Sequence, residues 1–271
     1  MVRLMKNFFK QPSSIHQLLT RVVTVAAMLS PAVAYSQANF LIWPIYPVIE
    51  NNQKAVAVWL ENVGDSPATV QVRVFKWSQD QHKEQFSTQQ EIIPSPPIVK
   101  IPAGTKQMIR LTRAVATPEL KEHAYRVIVD ELPVATDDQN KATSVNFKMR
   151  YSIPLFTYGQ GIGSGSNQET QKQNARNPLA KPILKWNLAQ HESKDVLEVS
   201  NSGAMVARIS EFKSAGQSFK AQAANNAYGY VLPNSKIYFN LNADLKNQLL
   251  KNNLLEAVVG SKKETVTIEK Q

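Results

Sequence analysis

Few residues in this chain of 271 are of a kind and spacing that could do chemistry. Three histidines lie beyond the N-terminal segment, His82, His123 and His191, far apart and each in polar surroundings. No H-E-x-x-H, G-x-S-x-G or phosphate-loop pattern is present. There is no cysteine to act as nucleophile, thiolate ligand or disulfide partner. Gly159-x-Gly161-x-Gly163 has the outline of a nucleotide fingerprint but lacks the strand–turn–helix context that makes one work. Asp130 and Glu131 are adjacent on a strand pattern, so they point to opposite faces and do not form an acid/base pair. The chain reads as a non-enzyme, with no catalytic residue, no metal site and no cofactor.

One run remains that could do work of another kind. In Ser144-Val-Asn-Phe-Lys-Met-Arg-Tyr-Ser-Ile153 one face carries Val145, Phe147, Met149, Tyr151 and Ile153, and the other Asn146, Lys148, Arg150 and Ser152. Pattern alone leaves two readings open. The run is a half-buried strand of an ordinary sheet, or it is an edge strand that offers its backbone and large side chains to a partner.

The elements that would position this run are strands throughout. Phe40–Tyr46 is apolar and holds Pro44, which suits an edge or a break. Ala55–Leu60 reads as a buried strand, Val70, Val72 and Val74 share one face of the next, and Gln107–Thr112, Tyr125–Leu132 and 144–153 follow. Gly, Pro, Asn and Asp separate them, as in Asn62-Val-Gly-Asp-Ser-Pro67. Short strands resume after Pro182 and continue to Ile268. The expected fold is all-β, two immunoglobulin-like β-sandwich domains over 39–158 and 177–271. The Gly- and Ser-rich span 159–176 is expected as a flexible linker or loop between them.

The first 38 residues read as a signal peptide. They hold four cations and no acid, then the apolar run Val22–Leu29, the pair Ser30-Pro31, and small residues around Ala34 and Ala38, either of which fits cleavage. The run is too short to span a bilayer, so no stable membrane insertion is expected. Residues 39–160 carry 13 Lys+Arg against 12 Asp+Glu, and residues 161–271 carry 14 against 9. The net charge of +10 is therefore mostly leader and second half, with no basic run interleaved with aromatics, and no nucleic-acid partner is expected.

Several stretches, in order, resemble the periplasmic pilus-assembly chaperones of the chaperone–usher pathway (PapD-like). They are Val56–Asn62, Val70–Trp77, Ile92–Leu111, Tyr125–Pro133, Ser144–Phe156 and Asp195–Ser210. Phe40–Tyr46 and Arg150–Phe156 are most similar to the archaic Csu-type branch. The resemblance implies a boomerang of two domains in the periplasm, with pilin subunits and an outer-membrane usher as partners. It implies a donor strand whose Val145, Phe147, Met149 and Tyr151 fill the groove of an incomplete pilin. Another branch of the family grips the subunit's terminal carboxylate with an Arg on the first strand and a Lys on the donor strand. Here those positions fall at Tyr46 and near Pro154. Arg126, then Arg150 and Lys148, with Tyr46 as a hydroxyl donor, are the candidate anchors instead. The alternative is a secreted two-domain β-sandwich adhesin or carbohydrate-binding protein.

Overall fold

A computed structural model of the chain describes residues 39–133, 148–224, 229–260 and 263–271. The donor candidates Val145 and Phe147 and the signal segment 1–38 lie outside the described residues.

The first half is built from two sheets. One, in the order β1 (Phe40–Trp43), β3 (Ala55–Asn62), β8 (Lys106–Arg113) and β6 (Ile92–Ser95), is antiparallel throughout. The other runs β2 (Val48–Ile49), β10 (Arg150–Tyr158), β9 (Glu122–Glu131), β4 (Ala68–Asp80) and β5 (Lys83–Ser87), with β7 (Ile98–Ile101) also on β4. Period-2 alternation drives this packing. Val70, Val72 and Val74 of β4 and Val127 and Val129 of β9 turn inward against Val58, Leu60, Ile109 and Leu111 of the facing sheet. On β4 the alternation changes phase after Val74: Trp77 and Gln79 are buried on the opposite face, where the second half of the chain packs.

The second half forms one ladder, β14 (Gln217–Lys220), β13 (Ala207–Ser214), β17 (Leu255–Val259), β18 (Glu264–Lys270), β11 (Leu184–His191), β12 (Lys194–Asn201) and β16 (Ser235–Asn240), with β15 (Tyr230–Val231) on β13. It folds over a single core in which Trp186, Val199 and Phe239 meet Ile209, Phe212 and Ala257. Two helices interrupt the strands. In α1 (Gln168–Ala175) a capping box joins Asn167 and Thr170, and the preceding Ser164 donates to the buried Glu50 carboxylate. The span expected as a linker therefore contains a capped helix tied to the first half. In α2 (Ala243–Asn252) the Asn242 side chain accepts from Leu245 N at 2.8 Å, and Leu245 and Leu249 face the core one turn apart. Asn242→Ala is expected to lower stability by about 1 kcal/mol, read as a reduced melting temperature without loss of β-sheet signal.

The halves meet at a junction core of Trp77, Phe156, Tyr158, Ile162, Tyr230 and Leu232. The Gln79 side-chain amide stands in for a strand backbone there. It donates to Tyr230 O and accepts from Leu232 N, both at 2.8 Å. His82, on the β4–β5 turn, pairs with Glu198 at 2.6 Å and stacks on Tyr238 at 3.8 Å. Gly159 ends β10, and a Cβ there would stand 1.7 Å from Pro118 O, so glycine is needed for the close approach.

Candidate functional site

The site is the outer edge of β10. This strand pairs with β9 along its whole length, Arg150↔Asp130 to Tyr158↔Glu122, whereas β2 covers its other side only at Phe156 and Thr157. The hydrogen bonds Glu131 N→Met149 O and Gly159 N→Lys121 O show which residues point at β9. They are the odd-numbered ones, and Phe156 N→Pro47 O confirms that even-numbered residues point outward. Arg150 and Ser152 thus turn N–H and C=O groups to an edge that no described strand fills. Pro154 occupies the next outward position, where it has no N–H to offer and no bond to β9 to lose.

This register explains why the strand extends past the alternating run. The sequence pattern ends at Ile153, but the strand continues to Tyr158. Beyond Pro154 both faces are covered: Leu155 lies in the core of the first half, and Phe156 and Tyr158 lie in the junction. Alternation disappears because there is no solvent face.

The described donor candidates divide. Met149 is 42% exposed and precedes the first residue of β10. Tyr151 is half-buried against the chain's own core, edge-on to Phe40, and its hydroxyl accepts from Phe40 N at 3.1 Å. It braces this edge of β10 against the first strand.

The anchor candidates also divide, to opposite ends of β10. Lys148 Nζ lies 3.1 Å from Glu131, and Arg150 pairs with Asp130, which Arg73 also holds at 2.6 Å. Burial opposes the Asp130 charge, but Arg150 and Arg73 together hold its carboxyl below the usual range. Arg126 and Tyr46 lie at the junction end. Arg126 sits directly opposite Pro154 in the register. It is only 2% exposed, with its guanidinium 3.8 Å from the Trp77 ring centroid and 3.4 Å from Glu84. It is thus a covered cation, neither an open anchor nor a solvated one. Burial pushes the Glu84 carboxyl up, against the pull of Arg126. Tyr46 is exposed and carries the Arg208 guanidinium on its ring at 4.4 Å. Arg208 comes from β13, and no local pattern marks it, because Tyr46 is 162 positions away in the other half.

A second ionisable feature lies close by. Glu122, the first residue of β9, is buried beside the Tyr158 hydroxyl, and its Oε1 accepts from Val206 N of the second half at 3.0 Å. Burial pushes its carboxyl up to about 8.

Residues 47–162 match the family described as pili and flagellar-assembly chaperone, PapD N-terminal domain. The chain is 47% identical to a chain in the CsuC–CsuE chaperone–tip adhesion subunit pre-assembly complex from the archaic chaperone–usher Csu pili of Acinetobacter baumannii. That match has a TM-score of 0.73 and covers 86% of this chain and all of the other. A probable fimbrial chaperone, YadV of Escherichia coli, is 29% identical over 66% of this chain and 70% of its own length. The Salmonella enterica SafA pilin–SafB chaperone complex shares the fold, with a TM-score of 0.57 at 14% identity over 86% of this chain and 97% of that one.

Proposed function

The chain belongs to the pilus-assembly chaperones of the chaperone–usher pathway, in the archaic Csu type, and we propose from that premise that it holds pilus subunits by lending them the edge of β10. The family acts without catalysis. The single observation that carries the reading is the outward register of Arg150 and Ser152 on an edge that β2 covers only from Phe156 onward. A subunit lacking a strand gains a ladder of main-chain bonds there, which satisfies backbone groups it would otherwise leave open. Val145, Phe147 and Met149 supply the side chains that enter its groove, each worth about 1.5–3 kcal/mol of burial before ordering costs. Tyr151 positions the strand.

Export by the leader 1–38 places this work in the periplasm, and release follows delivery to an outer-membrane usher. The donor edge belongs to a domain over 39–158, with a second over 177–271. The relatives do not support the adhesin or carbohydrate-binding alternative. At the anchor, Arg126 receives the subunit's carboxylate, with Tyr46 beside it.

Co-expression of the chain with its cognate pilus subunit is expected to yield a soluble one-to-one complex, while the subunit alone aggregates or is degraded. Equal solubility of the subunit without the chain would contradict the reading. Arg126→Ala is expected to reduce the recovered complex more than Lys148→Ala, both measured on protein that retains its β-sheet spectrum. The opposite order would move the anchor to the other end of β10.

A further inference from the structure

The inward face of β10 runs out of core before it runs out of apolar residues. Ile153 is buried in the first half and Tyr151 is half-buried against it. Met149 is the next residue along on that face, and it is exposed. Its carbonyl accepts from Glu131 N at 3.1 Å, so the main chain is held on β9 while the thioether stands in water. The chain has six methionines and no cysteine, so its sulfur chemistry falls on thioethers alone. Among the described residues the other two are covered: Met108 is half-buried on β8, and Met205 packs against the junction core. The run 144–153 holds no sulfur besides Met149.

A thioether needs no ionisation to react. A peroxide transfers one oxygen atom to the sulfur lone pair: the S–O bond forms, the O–O bond breaks, sulfur is oxidised by two electrons, and the peroxide leaves as water. A dithiol-dependent reductase reverses the step, the dithiol becoming a disulfide and the oxygen leaving as water. The product differs in polarity more than in size. An unbranched apolar chain that adapts to an irregular groove becomes a polar one, whose oxygen loses its water on burial among apolar groups without gaining a donor. We propose that Met149 is an oxidation site at which a peroxide switches subunit capture off by forming the sulfoxide, and at which reduction switches it on again. A subunit already in place covers the sulfur and shields it. This inference rests on the strand-lending reading above.

The test exposes the full chain, free and in complex with its cognate pilus subunit, to hydrogen peroxide and locates the added oxygen by peptide mass spectrometry. In the free chain Met149 is expected to oxidise about tenfold faster than Met108 and Met205, and in the complex its rate should fall to theirs. Capture by the oxidised free chain is expected to weaken about tenfold or more against its own untreated sample. It should recover after treatment with methionine sulfoxide reductases and a dithiol. Met149→Leu, also compared with its own untreated sample, should show no further loss on peroxide treatment. Slower oxidation at Met149 than at Met108 or Met205, an unchanged rate in the complex, or a loss that the reductases do not reverse would each overturn the proposal. So would an equal peroxide-induced loss in Met149→Leu, by placing the sensitive group elsewhere. Met149→Asp separates the two layers. If it leaves capture intact, the strand-lending reading fails. If it abolishes capture while the chain oxidised at Met149 captures normally, only the oxidation inference fails.

Discussion

Met149→Asp is expected to abolish subunit capture while leaving the chain folded. Met149 is 42% exposed and precedes β10, so an aspartate there meets water in the free chain. In a complex the same side chain enters an apolar groove. The substitution removes about 1.5–3 kcal/mol of burial and adds the cost of desolvating a carboxylate without a partner. Together these exceed about 4 kcal/mol, or roughly a thousandfold in affinity. The check is complex recovery after co-expression, with circular dichroism on the variant alone. Ile153→Asp is the instructive contrast. Ile153 is 8% exposed within the chain's own core, so that variant should lose the fold itself. If Met149→Asp still captures the subunit with unchanged yield, this edge is not the donor.

The second large effect concerns stability. Glu122→Gln is expected to raise the melting temperature at alkaline pH and to flatten its dependence on pH. Burial raises the Glu122 carboxyl to about 8, above its unfolded value. The folded chain therefore binds a proton that the unfolded chain gives up. The stabilisation is complete below the unfolded value, about 4.3, and is lost as pH rises toward and through about 8. Glutamine keeps the acceptor for Val206 N at the junction and cannot ionise. The variant should melt about 5–10 °C higher than wild type near pH 8.5, and the difference should shrink toward pH 5. Parallel melting curves across this range would show that Glu122 ionises without cost. The Asp130 cluster on β9 works in the opposite sense. Its depressed carboxyl contributes stability above the unfolded value, which is lost as pH falls through the folded one.

What could be read from the sequence follows from which surfaces are wet. Strands with one face in the core and one in water announce themselves. Val70, Val72 and Val74 alternate with Gln71 and Arg73, and both the strand and its inward face follow from that spacing. Where the second half covers the outer face, the signal fails. Trp77 and Gln79 are buried out of phase with the valines, and β10 runs on as Leu155-Phe-Thr-Tyr158 with no polar alternation. The short helix α2 carried a legible signal that strand-rich surroundings masked: an Asn242 cap followed by Leu245 and Leu249 one turn apart. The edge strand β10 was legible as a run, but not its register, because only pairing with β9 shows that Arg150 and Ser152 face outward.

The junction end of β10 was the least legible part. The departure from the other branch could be seen at Tyr46 and Pro154, and Arg126 could be nominated from the strand it occupies. Its burial against Trp77 could not be seen, nor could Arg208, because both depend on contacts between the halves of the chain. A cation brought in from a second sandwich leaves no local pattern at all.

The central claim is that the outward register of β10 is where the subunit's backbone docks, and amide hydrogen exchange tests it most directly. In the free chain Tyr151 and Ile153, which point toward β9, should be protected, and Arg150 and Ser152 should exchange rapidly. In the complex the account predicts that Arg150 and Ser152 become protected as well, while Tyr151 and Ile153 change little. If Arg150 and Ser152 exchange as fast in the complex as in the free chain, and protection appears on another strand, the subunit is held elsewhere and the account is contradicted.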